Sequence, residues 1–268
     1  MSRAPRAIPC RIILIDRSRD QVAVVTINRP RRKNACDLAA WTDMLNAFVN
    51  LSKDSSVRLA VLTGAGNDYC AGDDIIAFRA IKENPVAADA QRRRIQECYA
   101  ALQDAPFPIV AAIRGVCVGG GCSLAMCCDF RVADATARVG VPVAKLGLVY
   151  PTIQLERLAA LIGVQNARRW IYTGEIVGAD EAHRAGFLDA LTDSDVIEAA
   201  IAYGTPMSSA APLSLAGSKA QLNAIAAGQA ADRQAQLDAM EKRADNSEDF
   251  EEAARAFAEK RKPHFRGR

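Results

Sequence analysis

Apolar and polar positions follow two rhythms along this chain, a strand-and-helix alternation at first and an almost purely helical one later. Residues 12–16 and 21–27 are short apolar runs separated by Ser18, Arg19 and Asp20, the pattern of two strands joined by a turn. Asn28-Arg29-Pro30 then breaks the second strand. Asp37 is placed to cap a helix whose apolar positions Leu38, Trp41, Leu45, Phe48 and Val49 recur at helical spacing. Residues 59–63 and 109–113 read as buried strands, and 130–133 as another short one. Between the last two, Gly119, Gly120 and Gly121 predict a turn and residues 122–128 a buried helix. The spacing further predicts helices around 155–162, 166–172, 180–185 and 195–202. From 213 to 260 the chain is alanine-rich and reads as two long helices. Strands alternating with helices define an α/β class.

Composition narrows the chemistry. The 268 residues are half apolar, which suits a large buried core. Only His183 and His264 are present, which argues against multi-histidine metal sites and Ser-His-Asp hydrolases. His183 falls in a short polar helix and reads as a surface residue. Eight cysteines, diluted over this length and including the adjacent pair Cys127 and Cys128, read as reduced core residues of a cytoplasmic protein. No secretory pattern opens the chain, and the uncharged stretch 115–128 is too short to span a bilayer.

The net charge of +3 hides an uneven distribution: residues 1–33 carry nine basic and two acidic groups, and 260–268 carry five basic and none acidic. Basic ends around an acidic middle argue against a general polyanion-binding surface and suit a small anionic ligand or a partner subunit, or else simply solvated arms. The run Arg92-Arg93-Arg94 has no aromatic neighbours and reads as a solvated helix face. Two loops follow buried strands and carry glycine: Cys70-Ala71-Gly72-Asp73-Asp74-Ile75, and Gly115 to Cys122 with its triple glycine. Glycine lets backbone approach a ligand, and the start of a helix offers unpaired N–H groups. Two such donors converging on one oxygen form an oxyanion hole. The triple glycine matches neither the dinucleotide fingerprint nor the P-loop.

These residues, read together, resemble the enoyl-CoA hydratase/isomerase (crotonase) superfamily. The resemblance is carried by Asn28-Arg29-Pro30 with Lys33-Asn34-Ala35, the 70–75 loop, and Gly119-Gly120-Gly121 with Cys128-Asp129-Phe130-Arg131-Val132-Ala133. It continues through Lys145-Leu146-Gly147-Leu148, Arg157-Leu158, Thr173-Gly174-Glu175, Glu181-Ala182 and Gly186-Phe187-Leu188 to the tail from Glu248 to Pro263. It implies a crotonase-like spiral of repeated ββα units over residues 1–200, with a C-terminal helical trimerisation region over 201–268. It also implies an acyl-CoA thioester as substrate, coenzyme A entering as part of it, no prosthetic group, and assembly as a homotrimer or a dimer of trimers. No nucleic acid or membrane partner is expected.

By the same resemblance, the N–H groups of Ala71 and Gly120 hold the thioester oxygen, and Arg29, Lys33, Ala35, Ala71, Asp73, Ile75 and Lys260 line the coenzyme A path. Ser123 and Val143 stand where the family's hydratases carry two glutamates. Neither can do a carboxylate's proton work unaided, so neither ordinary hydration nor the double-bond isomerisation that in much of the family leans on the second carboxylate is expected. Asp73, Tyr150 and Ser123 become the candidates for proton transfer. Tyr150 resembles a pocket tyrosine of methylmalonyl-CoA decarboxylases, which form an enolate without a strong base; a non-catalytic acyl-CoA binder is a further alternative. Asp74 reads as a helix cap, Asp129 as structural, and Glu156 as a helix-stabilising or ion-pairing residue.

Overall fold

A computed structural model describes residues 12–268. Arg3, Arg6, Arg11 and Cys10, part of the basic start and one of the cysteines, lie outside the described residues. A six-stranded sheet forms from β1 (Ile13–Asp16), β2 (Val22–Ile27), β3 (Leu59–Gly64), β4 (Ile109–Ile113), β6 (Phe130–Asp134) and β9 (Ala190–Thr192), in that spatial order. β1 is antiparallel to β2, as expected of the 12–27 hairpin, and every other neighbour is parallel. A second, three-stranded sheet of β5 (Val116–Val118), β7 (Arg138–Gly140) and β8 (Ile176–Gly178) was not legible in the pattern, since its strands are three residues each.

The two sheets explain the spiral. The chain lays β4 in the large sheet, β5 in the small one, then α4 (Gly120–Cys127); it repeats with β6, β7 and α5 (Thr152–Thr173). Side-chain alternation along the central strands builds two cores. Ala60 and Leu62 of β3 and Ala111 and Ile113 of β4 face a large core with α1 (Leu38–Leu51) and α3 (Pro85–Gln103). Leu59, Val61, Val110 and Ala112 face a smaller core against Val196 and Ala200 of α7 (Val196–Ser208). Each fully buried Leu, Ile or Phe in these layers contributes roughly 1.5–3 kcal/mol.

Several boundaries differ from the sequence reading. The helix expected at 122–128 begins at Gly120. The helices expected at 155–162 and 166–172 do form as two segments of α5, broken at Gly163, whose φ of 74° and ψ of 155° are not helical. The division at residue 200 falls inside α7, which packs on the sheet through Val196 and Ala200 and approaches it closely at Gly204, where a Cβ would lie 2.5 Å from Leu59. The helical region therefore starts at α8 (Pro212–Ala226), and it contains three helices, not two, with α9 (Gln234–Asp245) and α10 (Glu248–Ala258). The remaining helices are α2 (Ile75–Lys82) and α6 (Ala179–Arg184). Among the described residues no helix is long and apolar enough to cross a membrane.

Candidate active site

Two glycine loops meet because backbone pairs hold them together. Tyr69 N–H donates to Arg114 O at 2.8 Å, Cys70 N–H to Val116 O at 2.9 Å, and Val118 N–H to Cys70 O at 3.1 Å, so the chain before Ala71 runs beside β5. On the other flank Cys36 N–H donates to Gly72 O at 2.7 Å and Asp74 N–H to Cys36 O at 2.8 Å. Buried Asn34 locks this flank, donating to Ala65 O and Asp68 O and accepting from Arg29 N–H. The approach is close enough to require glycine. A Cβ at Gly121 would lie 2.1 Å from Cys70 O, and Gly72, with φ +89°, would set one 2.6 Å from Gly120 N.

This geometry changes the expected donor. The N–H of Ala71 is spent on Lys33 O at 2.9 Å, so it does not face a ligand. Two residues on, Asp73 N–H has no acceptor among the described residues, and the same holds for Gly120 N–H at the first position of α4, where intrahelical acceptors are absent. The two sit side by side: a Cβ at Gly120 would lie 3.2 Å from Asp73 N and 3.2 Å from Asp73 Oδ2. Asp73 thus replaces Ala71 as the partner of Gly120.

The Asp73 carboxyl is unusual for its isolation. Its Oδ1 accepts from the Trp41 indole N–H at 3.0 Å, and burial raises its pKa above the ordinary carboxylate value, against the lowering effect of that hydrogen bond. Asp74, next in sequence, caps α2 by accepting from Ala77 N–H at 3.3 Å and pairs with Arg29 and Arg32, as its reading as a cap required. Ser123 and Tyr150 hydrogen-bond to each other, and the Tyr150 hydroxyl donates to Gly119 O at 3.2 Å, beside the start of α4. Burial pushes the Tyr150 and Tyr99 hydroxyls well up, so both are neutral near neutral pH. Val143 lies in the 3-10 turn Pro142–Leu146 with its side chain partly packed on the core.

The expected coenzyme A residues divide. Arg29 is turned inward: its guanidinium binds Ala35 O, Asp37 at 2.9 Å and Asp74 at 3.4 Å, so it is a fastener of the loop and not a free phosphate ligand. Ala35 is buried; Lys33 and Ile75 are exposed beside the loop. Lys260 is exposed at the end of α10, whose following tail is tied to Arg58 through Phe265 O. Asp129 accepts from Lys219 at 2.7 Å and from Ile109 N–H at 2.7 Å, a structural role. Glu156 is exposed on α5. His183 bonds Leu188 O, and Arg92 and Arg94 pair with acids one turn away. The seven described cysteines are buried and unbridged. Among the described residues no cluster of His, Cys, Asp and Glu is fit to hold a metal. A cavity of about 600 Å³ between α5, α8 and the end of α4 holds none of Asp73, Gly120, Ser123 or Tyr150, and its Lys219, Arg157 and Asn223 are already paired within the chain.

Trp41 and Tyr99 were not singled out from sequence. Trp41 sat on the apolar stripe of α1, where an aromatic signals core, and only its indole N–H distinguishes it from a pure core residue.

Alternating two-sheet turns closed by helices are the crotonase fold, which solved structures share: an enoyl-CoA hydratase from Bacillus anthracis superposes with a TM-score of 0.86 at 28% identity, over 96% of this chain and 100% of that one. Residues 17–268 match the enoyl-CoA hydratase/isomerase family, and the chain belongs to it. Its relatives include the 2,3-dehydroadipyl-CoA hydratase of Escherichia coli, 32% identical over 95% of this chain and 99% of that protein. They also include the mitochondrial Delta(3,5)-Delta(2,4)-dienoyl-CoA isomerase of Mus musculus, 30% identical over 78% of this chain and 68% of that one. The protein is accordingly an acyl-CoA-processing enzyme of this family.

Proposed function

We propose that this enzyme forms a thioester enolate and uses the Asp73 carboxyl as its single acid and base, so that the net reaction is migration of a carbon–carbon double bond. The observation that carries this is the position of Asp73: its amide N and its Oδ2 both lie beside Gly120. The thioester oxygen accepts from the N–H groups of Asp73 and Gly120, the latter reinforced by the positive end of α4. Asp73 removes an α-proton from a β,γ-enoyl thioester, the electron pair moves into the dienolate, and the same proton returns to the γ-carbon. No atom is gained or lost. A desolvated carboxylate with a raised pKa suits this, because it is a stronger base than a solvated one and a competent acid once protonated. The mouse relative's name describes an isomerase, which agrees.

Hydration needs one group to activate water and another to protonate carbon, and Ser123 and Val143 supply no carboxylate for either. Decarboxylation of a malonyl-type thioester would set the substrate carboxylate against Asp73, so like charges oppose it. Coenzyme A would lie with its phosphates near the exposed Lys33 and Arg32. The exposed Phe250 and Phe257 of α10 and Leu222 and Ile225 of α8 are apolar surface of the kind a homotrimer covers.

The test incubates the protein in deuterium oxide with a saturated acyl-CoA, and in water with β,γ-enoyl-, α,β-enoyl- and methylmalonyl-CoA, read by mass spectrometry and ultraviolet absorbance. Expected are deuterium at the α-carbon and conversion of the β,γ- to the α,β-enoyl ester, both falling about 10²–10⁴-fold in Asp73→Asn. Addition of water to the α,β-ester, loss of carbon dioxide, or no exchange overturns the reading.

A further inference from the structure

Asp73 has two carboxyl oxygens, and the protein treats them differently. Oδ1 faces the Trp41 indole N–H at 3.0 Å, whereas Oδ2 lies beside Gly120. Trp41 is fully buried on α1 and meets the edge of Tyr99 with ring centroids 5.5 Å apart and planes at 85°, so the indole cannot swing away without opening the contact between α1 and α3. An indole nitrogen only donates. A carbonyl oxygen is a better acceptor than a hydroxyl oxygen, so the indole favours the neutral acid with Oδ1 as its carbonyl and its proton on Oδ2.

We propose that Trp41 is the positioning residue of Asp73, fixing Oδ1 as a permanent acceptor so that every proton enters and leaves through Oδ2. This rests on the assignment of Asp73 as the acid and base. The other titratable groups that feel the charge of Asp73 are Cys36 from the 33–36 segment, Tyr99 from α3 and Tyr150 from the segment before α5. The Cys70 hydrogen bond and burial raise the first and burial the other two, so all are neutral. The guanidinium groups of the neighbouring 29–32 segment, Arg29 and Arg32, serve Asp74 instead. Trp41 is thus the donor that stabilises the charged form, and it does so without adding a cation that would hold Asp73 permanently ionised. Trp170, the second tryptophan, is also buried, but its indole N–H has no hydrogen-bond partner among the described residues.

The contrast supplies a readout that needs no substrate. In protein labelled with ¹⁵N-tryptophan, the two indole N–H resonances are followed against pH, with Trp170→Phe assigning them. The Trp41 resonance should shift with a midpoint above the ordinary carboxylate value, the Trp170 resonance should not, and Asp73→Asn should abolish the shift. In the kinetic arm, Trp41→Phe keeps a ring against Tyr99 but removes the donor. The rate of α-proton exchange should fall by roughly ten- to a hundredfold with KM little changed. The acid limb of its pH profile should move to higher pH, because the charged form has lost a stabilising bond. A Trp41 resonance that ignores pH, or one that still titrates in Asp73→Asn, overturns the inference. So does an unmoved acid limb in Trp41→Phe. Absence of exchange in the wild type would instead overturn the function proposed for Asp73, and the two failures are distinct. If Trp41→Phe does not fold, the resonance arm decides alone.

Discussion

Asp73 and Asp74 are neighbours in sequence and opposites in surroundings. Asp74 sits where the chain enters α2, with a helix amide and two guanidinium groups around it. Asp73, one residue earlier, lies beside Gly120, and among the described residues an indole is its carboxyl's only hydrogen-bond partner. The reversal of direction between adjacent side chains in extended backbone is what separates them. One carboxylate is used to hold the loop, and the other is left unneutralised beside Gly120. Charge that is fully satisfied builds structure, while charge that is only partly satisfied retains the capacity to exchange a proton.

The largest effect expected from breaking this contrast is at Asp73. Asp73→Asn should abolish proton exchange and at the same time raise the melting temperature near neutral pH. The sign follows from the raised pKa. Between the unfolded value near 3.8 and the higher folded value, rising pH ionises the unfolded chain first, so stability is lost across that window in the wild type. The amide of the variant does not ionise and loses nothing there. The stabilisation should therefore be present at neutral pH, shrink as pH falls through the folded value, and vanish below about pH 4, near the unfolded carboxylate pKa. Thermal melts across that range check it; equal melting temperatures at neutral pH would mean that Asp73 is not desolvated.

Next in size is the contact between the two loops. In Gly72→Ala the φ of +89° is unfavourable and the new methyl presses on Gly120 N at 2.6 Å. Displacing one donor from the thioester oxygen costs about 3 kcal/mol of transition-state stabilisation, so turnover should fall about a hundredfold. Gly121→Ala drives a methyl to 2.1 Å from Cys70 O and should destabilise the whole chain by about 3 kcal/mol or more. Comparing kcat with the melting temperature for the two variants separates a misplaced donor from a disrupted fold.

Much of this was legible beforehand, and the misses have a common cause. The glycine loops and the structural roles of Asp74 and Asp129 could be read because turn chemistry, helix starts and the family's motifs leave local marks. The choice between Ala71 and Asp73 could not, since it depends on which amide Lys33 O consumes across 38 residues of chain. Arg29 misled for the same reason: a basic residue in a basic segment reads as a phosphate ligand until Asp37 and Asp74 are seen around it. The small sheet escaped because three-residue strands are shorter than any periodicity can register.

Arg29 offers a smaller test of the same contrast. Arg29→Met should cost about 1–3 kcal/mol of stability by leaving Ala35 O, Asp37 and Asp74 without their donor. It should leave the apparent Kd for an acyl-CoA nearly unchanged in protein that remains folded. Lys33→Ala, with its exposed ammonium removed, should do the reverse: unchanged melting temperature and a weaker Kd. Titration calorimetry beside thermal melts reads both; a raised Kd in Arg29→Met without loss of stability would restore Arg29 to the coenzyme A path.

The smallest expected effect lies at the other end of the chain, where a third carboxylate shows the opposite pH sign. Glu252 on α10 accepts from Arg261, from Arg255 at 2.6 Å and from His264 N–H at 3.1 Å, which together hold its carboxyl well below the usual carboxylate range. Its contribution to stability is complete above the unfolded value of 4.5 and is lost as pH falls through the depressed folded value. Arg261→Ala should therefore lower the melting temperature slightly at neutral pH, and the gap to the wild type should close on acidification. Asp73→Asn also converges on the wild type in acid, but from above. Arg261→Ala loosens Glu252 and the exposed Glu259, both carboxylates stabilised by the guanidinium, whereas Asp73→Asn removes the charge of one isolated carboxyl. The direction of approach therefore separates carboxylates the fold stabilises from one it leaves isolated. If the two approach from the same side, the contrast between the clasped acid and the isolated one is wrong.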